Sequence, residues 1–381
     1  MKHVLVTGAT GALGGGVVPS LLQSMPEARF TVLTRRPGLR GVHPRIQELQ
    51  CDLRTNDWER LLPKGLAESL TGILHMAADV RWNMNTTEAL DINTAVSARL
   101  AAWAETHCRD LQIFCYVSTA FVEAPSHLKG APGYIQHEGK LFNNSYEHSK
   151  FLGEKEILSR NIPSVIVRPS LILGDSQTGE IDYFNGLYTL LRLISQGLVP
   201  VVAGNRNAYA DIVTLDTVVK AIHMAMTYRS CPSGQIIWAI SGVDAPRVGD
   251  VIDSCLTGLN KFRMAKAVAP IEKPAMVRYD AFQRLYKPWF EQEAPASQRK
   301  LMGYIDVFAP YFSVTGVFCP CGPDSVILSP DWRTTLHKVV KYWCQANEST
   351  ALKSPRKWGR TTAAISGADP TSLNVEIESV R

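Results

Sequence analysis

Along the first 170 residues, short apolar runs alternate with stretches of helical periodicity. His3-Val4-Leu5-Val6-Thr7, Phe30-Thr31-Val32-Leu33, a run ending at Asp52-Leu53, Gly72-Ile73-Leu74-His75-Met76, Ile113-Phe114-Cys115-Tyr116-Val117 and Ser164-Val165-Ile166-Val167 read as six strands. Between them Val17, Val18, Leu21 and Leu22 recur at helical spacing, and a helix from about Glu88 to His107 has Leu90, Ala95, Leu100, Ala101 and Trp103 to bury. Strands and helices in this alternation predict an α/β fold of the Rossmann type, a doubly wound parallel sheet. Ligands of such sheets bind just outside the C-terminal ends of the strands.

Those ends hold the polar residues of interest. After the first strand, Thr7-Gly8-Ala9-Thr10-Gly11-Ala12-Leu13-Gly14 leads straight into a helix. Glycines there let the backbone approach a pyrophosphate, whose charge meets N–H groups at the helix N-terminus. The spacing is Gly-x-x-Gly-x-x-Gly, not the commoner Gly-x-Gly-x-x-Gly, and its place between strand and helix favours cofactor binding over simple punctuation. The second strand ends in Thr34-Arg35-Arg36, where NAD sites carry an acid. Arginine forks suit the 2′-phosphate of NADP; the alternative is a pair of solvated loop charges. Ala77 and Ala78 leave room for a cofactor at the end of the fourth strand. Ser118 and Thr119 follow the fifth, where a hydroxyl is placed to hydrogen-bond a substrate carbonyl. Asn93 falls in the first turns of the next helix and, taken alone, satisfies a backbone carbonyl. Arg168-Pro169 closes the sixth strand, and both are expected among the cofactor-binding residues.

Tyr146 and Lys150, in Ser145-Tyr146-Glu147-His148-Ser149-Lys150, are four apart and share one helix face. A nearby ammonium favours the ionised phenol, which a tyrosine needs for proton transfer at neutral pH. Among twelve tyrosines one such pair arises by accident, so its weight comes from the strand-end residues above.

Beyond residue 170 the pattern is less explicit. The stretch 183–196 carries Phe184, Leu187, Tyr188, Leu190, Leu191 and Ile194, an apolar helix that serves either as core or as the wall of an acyl groove. Asp211-Ile212-Val213 and 216–225 read as a strand and helix rejoining the sheet. After Lys261 the chain is rich in aromatic residues and proline, including Tyr279, Phe282, Tyr286, Trp289, Phe290, Tyr304, Phe308, Tyr311 and Phe312. This mainly helical segment caps an apolar pocket or packs on itself. The division expected is 1–255 for a cofactor-binding domain with substrate-side insertions from about 175, 256–346 for a smaller helical substrate subdomain, and 347–381 for a polar, flexible tail.

Composition narrows the classes further. The chain has 381 residues, 45% hydrophobic and 20% charged, with a formal charge of +5, values of an ordinary globular protein. Without a basic block interleaved with aromatics, nucleic acid is not an expected partner. An apolar strand begins almost at Met1, and there is no signal-peptide pattern or apolar run of membrane-spanning length. A cytoplasmic location follows as the expectation. The eight cysteines are scattered, and only Cys319-Pro320-Cys321 is close-set, without a second pair at zinc spacing, so thiols rather than a metal site are expected.

Taken in order, Thr7-Gly8-x-x-Gly11-x-x-Gly14, Asp52-Leu53, His75-Met76-Ala77-Ala78, Asn93, Val117-Ser118-Thr119, Tyr146-x-x-x-Lys150 and Arg168-Pro169 resemble the extended short-chain dehydrogenases/reductases. The resemblance implies Tyr146 as proton donor, Lys150 as its partner and a ligand of the nicotinamide ribose, Thr119 as the hydroxyl that orients the carbonyl, Asn93 as support for the relay, and Asp52 at the adenine. Asp79-Val80-Arg81-Trp82, Gly174-Asp175-Ser176-Gln177-Thr178-Gly179 and Phe184-Asn185-Gly186-Leu187-Tyr188 look like the thioester reductase and fatty acyl-CoA reductase branch. Val122-Glu123-Ala124 stands where sugar epimerases usually show Val-Tyr-Gly. The branch implies NADPH-dependent reduction of an acyl thioester, on coenzyme A or a carrier-protein phosphopantetheine arm, either to an aldehyde or on to the alcohol. A ketone reductase or hydroxysteroid-type dehydrogenase, and a non-catalytic NADPH-binding regulator, are the alternatives.

Overall fold

The computed structural model describes residues 2–36, 38, 43–129, 131, 133–199, 201–227, 233–293, 303–320 and 325–355. Its centre is an eight-stranded parallel sheet. The first five strands in sequence are β1 (His3–Thr7), β2 (Arg29–Thr34), β3 (Ile46–Gln50), β4 (Gly72–His75) and β5 (Ile113–Val117). Two pairs of short strands follow in different roles. β6 (Ile135–His137) and β7 (Lys140–Phe142) form an antiparallel hairpin, and β8 (Ser164–Pro169) returns to the main sheet just before β9 (Leu171–Leu173). Further on come β10 (Val201–Ala203), β11 (Ile212–Thr214), β12 (Gln235–Ile240), β13 (Ala275–Val277) and β14 (Ser325–Leu328).

The sheet order is β14-β12-β8-β5-β4-β1-β2-β3. Its direction reverses between β1 and β4, so the crevice where ligands of such sheets bind opens beside Gly8 and Ala77. Parallel strands covered on both faces need apolar side chains on both, and β1, β4, β5 and β8 are buried almost throughout. One face is covered by helices Gly14–Ser24 and Leu215–Thr227, through Val17, Val18 and Leu21 and through Val218, Ala221 and Ile222. The other is covered by helix Val96–His107, through Leu100, Ala101 and Ala104, and by Ile157 of helix Ser145–Leu158.

The structure departs from the sequence reading in its second half. β11 does not enter the main sheet; it pairs with β9 alone, while the helix after it does pack on the sheet. The seventh and eighth strands are instead β12, which the apolar-run reading left out, and β14, which comes from the stretch expected to be a helical cap. Helix Trp332–Ala346 likewise packs against helix Val248–Ala265, burying Leu336, Val339 and Trp343 against Ile252, Leu256 and Leu259. The remaining part of 256–346 keeps an apolar cluster of its own around Phe282, Phe290, Ile305 and Ala309. Most of the tail 347–381, together with Cys231 and Cys321, lies outside the described residues. Cys51, Cys108, Cys255 and Cys344 are buried thiols. Among the described residues no helix is long and apolar enough to cross a membrane, and no cluster of three metal-ligating side chains occurs.

Candidate active site

Gly8 ends β1 at φ +77°, and a Cβ there would stand 2.6 Å from the backbone nitrogen of Ala77. The turn is therefore pressed against the end of β4 and only glycine fits. Helix Gly14–Ser24 starts with no side-chain cap and no acid in its first turn. Among the described residues the N–H groups of Ala12 and Leu13 make no hydrogen bond within the chain. Orphan donors at an uncapped helix N-terminus are the partners a pyrophosphate needs, so this turn fits a dinucleotide. Arg35 and Arg36 are exposed just past β2, and the positive charge of Arg35 helps hold the Asp52 and Asp79 carboxyls low. Asp52 itself is paired with Arg54, Oδ2 to Nη2 at 2.5 Å, which is the main cause of its lowered pKa. Leu53 beside it is buried.

A buried, directional chain of hydrogen bonds runs from this turn to the tyrosine helix. The Ala77 N–H donates to Thr7 Oγ1 at 3.2 Å, and Thr7 Oγ1 lies 2.7 Å from His75 Nδ1. His75 Nε2 is 3.0 Å from Ser97 Oγ, which donates to the Asn93 carbonyl at 2.6 Å. Since the Ser97 hydroxyl proton is committed to that carbonyl, the network assigns the His75 proton to Nε2. A neutral ring agrees with its surroundings, because burial and then the charge of Lys150 push its pKa down to about 3. Asn93 sits in a single wide turn, Leu90–Ala95, within an otherwise continuous helix from Thr86 to His107. Its Nδ2 donates to the Asp79 carbonyl and to Ser149 Oγ, each at 3.0 Å, and its Oδ1 accepts the Asp79 N–H at 2.8 Å. Asn93 thus satisfies a backbone carbonyl, as its burial alone suggested, and also ties the loop after β4 to the tyrosine helix.

That helix, Ser145–Leu158, is capped by Asn144, whose side chain accepts the Glu147 N–H at 3.0 Å. Tyr146 is half-buried in its first turn, and Lys150 one turn later is buried. The Lys150 ammonium lies 4.0 Å from the centre of the Tyr116 ring. Burial brings the Lys150 pKa down to about 7 against the opposing pull of Glu154. For Tyr146 burial, followed by the negative charge of Glu147, pushes the phenol pKa up. Desolvation and Glu147, and not the bias expected from Lys150, therefore set the phenol here. Thr119 is buried at the end of β5, accepts the Phe121 N–H at 3.3 Å, and donates to the Pro169 carbonyl at 3.4 Å. The turn it caps, Ala120–Glu123, packs against the tyrosine helix. Arg168 is elsewhere employed: its Nη2 is 2.6 Å from Glu154 and its Nη1 3.2 Å from Glu123, with the guanidinium over Trp238. Its charge holds β8 to the tyrosine helix, because a buried ion stays only where it is paired.

Sequence reasoning missed the other side of the site. Glu147 is fully buried, and burial lifts its pKa to about 7. It accepts from the Asn143 N–H at 2.8 Å and from the Tyr311 hydroxyl at 2.6 Å. Asn144 followed three residues later by Glu147 was a readable capping pattern; nothing local marked Tyr311 as its partner. The Tyr311 ring is stacked on Trp82 at 4.1 Å and meets Phe121 edge-on at 5.0 Å. With Phe121, Leu171, Phe312, Val314 and Phe318 it lines a narrow apolar cleft. A second, very small apolar pocket lies on the other side of Phe312, lined by Leu190, Leu193 and Phe308. Helix Leu187–Ser195 is core, the first of the two readings the sequence left open. Leu187, Tyr188, Leu190, Leu191, Leu193 and Ile194 are all buried in it, and Leu190 and Leu193 also line that small pocket.

The sheet order, the glycine turn and the Tyr146–Lys150 helix have the arrangement of the extended short-chain dehydrogenase/reductase architecture. Comparison with known proteins supports one branch of it. Residues 46–222 match the family described as male sterility protein. Fatty acyl-CoA reductase 1 of Pongo abelii is 27% identical over 312 residues, 68% of this chain and 58% of that protein. The chain thus matches little more than half the length of such relatives. The terminal R domain from the myxalamid PKS-NRPS biosynthetic pathway superposes with a TM-score of 0.66 at 21% identity, covering 93% of both chains. A UDP-galactose 4-epimerase has the same fold, with a TM-score of 0.56 at 16% identity over 91% of this chain and 100% of its own. The sequence and family similarities support the thioester reductase and fatty acyl-CoA reductase branch, the one that the motifs resemble.

Proposed function

We propose that the protein is an NADPH-dependent reductase of an acyl thioester, carried on coenzyme A or on a carrier-protein phosphopantetheine arm, which works in the cytoplasm. The observation that favours this reading is the apolar cleft itself: its wall includes Phe121, two residues after Thr119, and Tyr311, bonded to the neighbour of Tyr146. An acyl chain in that cleft has its carbonyl end beside the two hydroxyls. The turn Thr7–Gly14 holds the cofactor diphosphate through backbone N–H groups, Arg35 and Arg36 meet the 2′-phosphate, and Ala77 and Ala78 leave space beside them. When bound, NADPH supplies the hydride.

Thr119 and Tyr146 hold the thioester oxygen, and Tyr146 gives its phenolic proton to that oxygen as negative charge gathers there. Lys150, charged again beside the cofactor ribose, keeps the phenolate that results. The resulting hemithioacetal breaks its C–S bond, releasing thiol and aldehyde. For onward reduction to the alcohol, a second NADPH would supply the hydride and Tyr146 the proton. No enzyme nucleophile takes part.

Purified protein with NADPH and a panel of acyl thioesters, ketones and aldehydes tests the reading. Free thiol should appear with cofactor oxidation, one per NADPH for aldehyde or one per two for alcohol. Oxidation on ketones without thiol from any thioester transfers the assignment to a ketone reductase, and binding without turnover transfers it to a regulator.

A further inference from the structure

Tyr311 belongs to two structures at once. Its ring is part of the apolar cleft, held flat against Trp82. Its hydroxyl accepts from Asn144 Nδ2 at 2.7 Å and donates to Glu147 Oε1 at 2.6 Å, so it completes the cap of the tyrosine helix. The remaining contact to that carboxylate oxygen is Asn143 Nδ2 at 3.3 Å, too long to replace a 2.6 Å bond in a buried site. Tyr146 lies between Asn144 and Glu147 in this capped turn, and the direction of its phenol depends on how the turn is held. The far wall of the turn is fastened too, since Ser145 Oγ donates to the Met84 carbonyl at 2.6 Å.

We infer that Tyr311 and Glu147 are a positioning pair which couples filling of the apolar cleft by an acyl chain to the placement of Tyr146. The inference rests on the acyl-thioester reading above. An acyl chain lying along Phe121, Phe312 and Phe318 presses the Tyr311 ring onto Trp82. The hydroxyl then holds Glu147 in place, and Glu147 holds the turn that presents the phenol. A short acyl group leaves the ring held by Trp82 and Phe121 alone, and the turn less well held. Chain length is thereby read in the chemical step as well as in binding.

The test is a series of acyl thioesters from butyryl to palmitoyl, with kcat and KM measured separately for the wild type, Tyr311→Phe, Glu147→Gln and Tyr311→Leu. Wild-type kcat should rise with chain length. Tyr311→Phe keeps the ring and loses the hydroxyl, so kcat for long chains should fall about ten-fold towards the short-chain value while KM still falls with length. Glu147→Gln should give the same flattened kcat, and the double variant should add little to either single one. Tyr311→Leu should lose the KM trend as well. A wild-type kcat profile in Tyr311→Phe, or a loss equal for short and long chains, overturns the coupling while the thioester reading stands. Reduction of ketones with no thioester turned over by the wild type overturns that reading, and the coupling with it.

Discussion

The Lys150 ammonium stands 4.0 Å over the Tyr116 ring, and that ring is itself stacked on His75 at 5.5 Å. A lysine buried in this way gives up its proton near pH 7. A bound NADPH, as proposed above, would bring negative charge towards the same region and favour the protonated form. Cofactor binding at about pH 8 should therefore take up a proton, seen by calorimetry in buffers of different protonation enthalpy. Lys150→Met should bind NADPH more weakly and without that uptake; uptake unchanged in the variant would assign the proton to another group.

Lys150 and Glu147 also give stability opposite slopes on either side of neutrality. The Glu147 carboxyl keeps its proton up to about pH 7 in the folded state against 4.5 ordinarily, so the folded state binds more protons and stability falls as pH rises from 4.5 to 7. The Lys150 amine sits at about 7 against 10.5, so the unfolded state binds more protons and stability rises from pH 7 to 10.5. Each slope is at most about 1.4 kcal/mol per pH unit. Denaturant unfolding across this range should show a minimum near neutrality, with Glu147→Gln flattening the acid side and Lys150→Met the alkaline side.

Tyr146→Phe keeps the ring and removes the proposed proton donor. Turnover should drop by roughly 10²–10⁴-fold with NADPH affinity almost unchanged, measured by steady-state kinetics and cofactor fluorescence. Near-normal turnover would remove Tyr146 from the mechanism.

Cofactor preference should follow Arg35 and Arg36. A charged hydrogen bond is worth roughly 1.5–3 kcal/mol, so Arg35→Ala or Arg36→Ala should weaken NADPH at whichever arginine meets the phosphate by about ten-fold or more, and NADH hardly at all. Equal binding of both cofactors by the wild type would make these arginines solvated charges.

Two glycines in the same backbone region separate crowding from strain. Gly8 and Gly65 have φ of +77° and +79°, but a Cβ at Gly65 meets nothing within 4 Å, whereas one at Gly8 strikes the Met76 and Ala77 backbone. Gly65→Ala should cost about 1 kcal/mol of stability, from strain alone. Gly8→Ala should cost several times that and abolish cofactor binding, as read by thermal unfolding with and without NADPH.

Local signals carried the sequence a long way. The strand–glycine–helix opening, the alternation up to residue 170 and the four-residue spacing of Tyr146 and Lys150 are short-range patterns set by strand and helix period, and the sheet built from them is parallel and doubly wound, as they imply. What lay beyond was decided by contacts between distant parts of the chain. β14 joins the sheet through β12, some ninety residues earlier, and a short run such as Ser325–Leu328 is indistinguishable from loop until that neighbour is in place. Arg168 closes a strand exactly as a cofactor ligand would, yet its charge is taken by Glu154, which approaches only when the tyrosine helix lies against β8. The burial that lowers Lys150 and lifts Glu147 is likewise a property of the packed site, since desolvation depends on everything that surrounds a group. Tyr311 reaches Glu147 across 164 residues of sequence, a pairing that only the folded chain brings about.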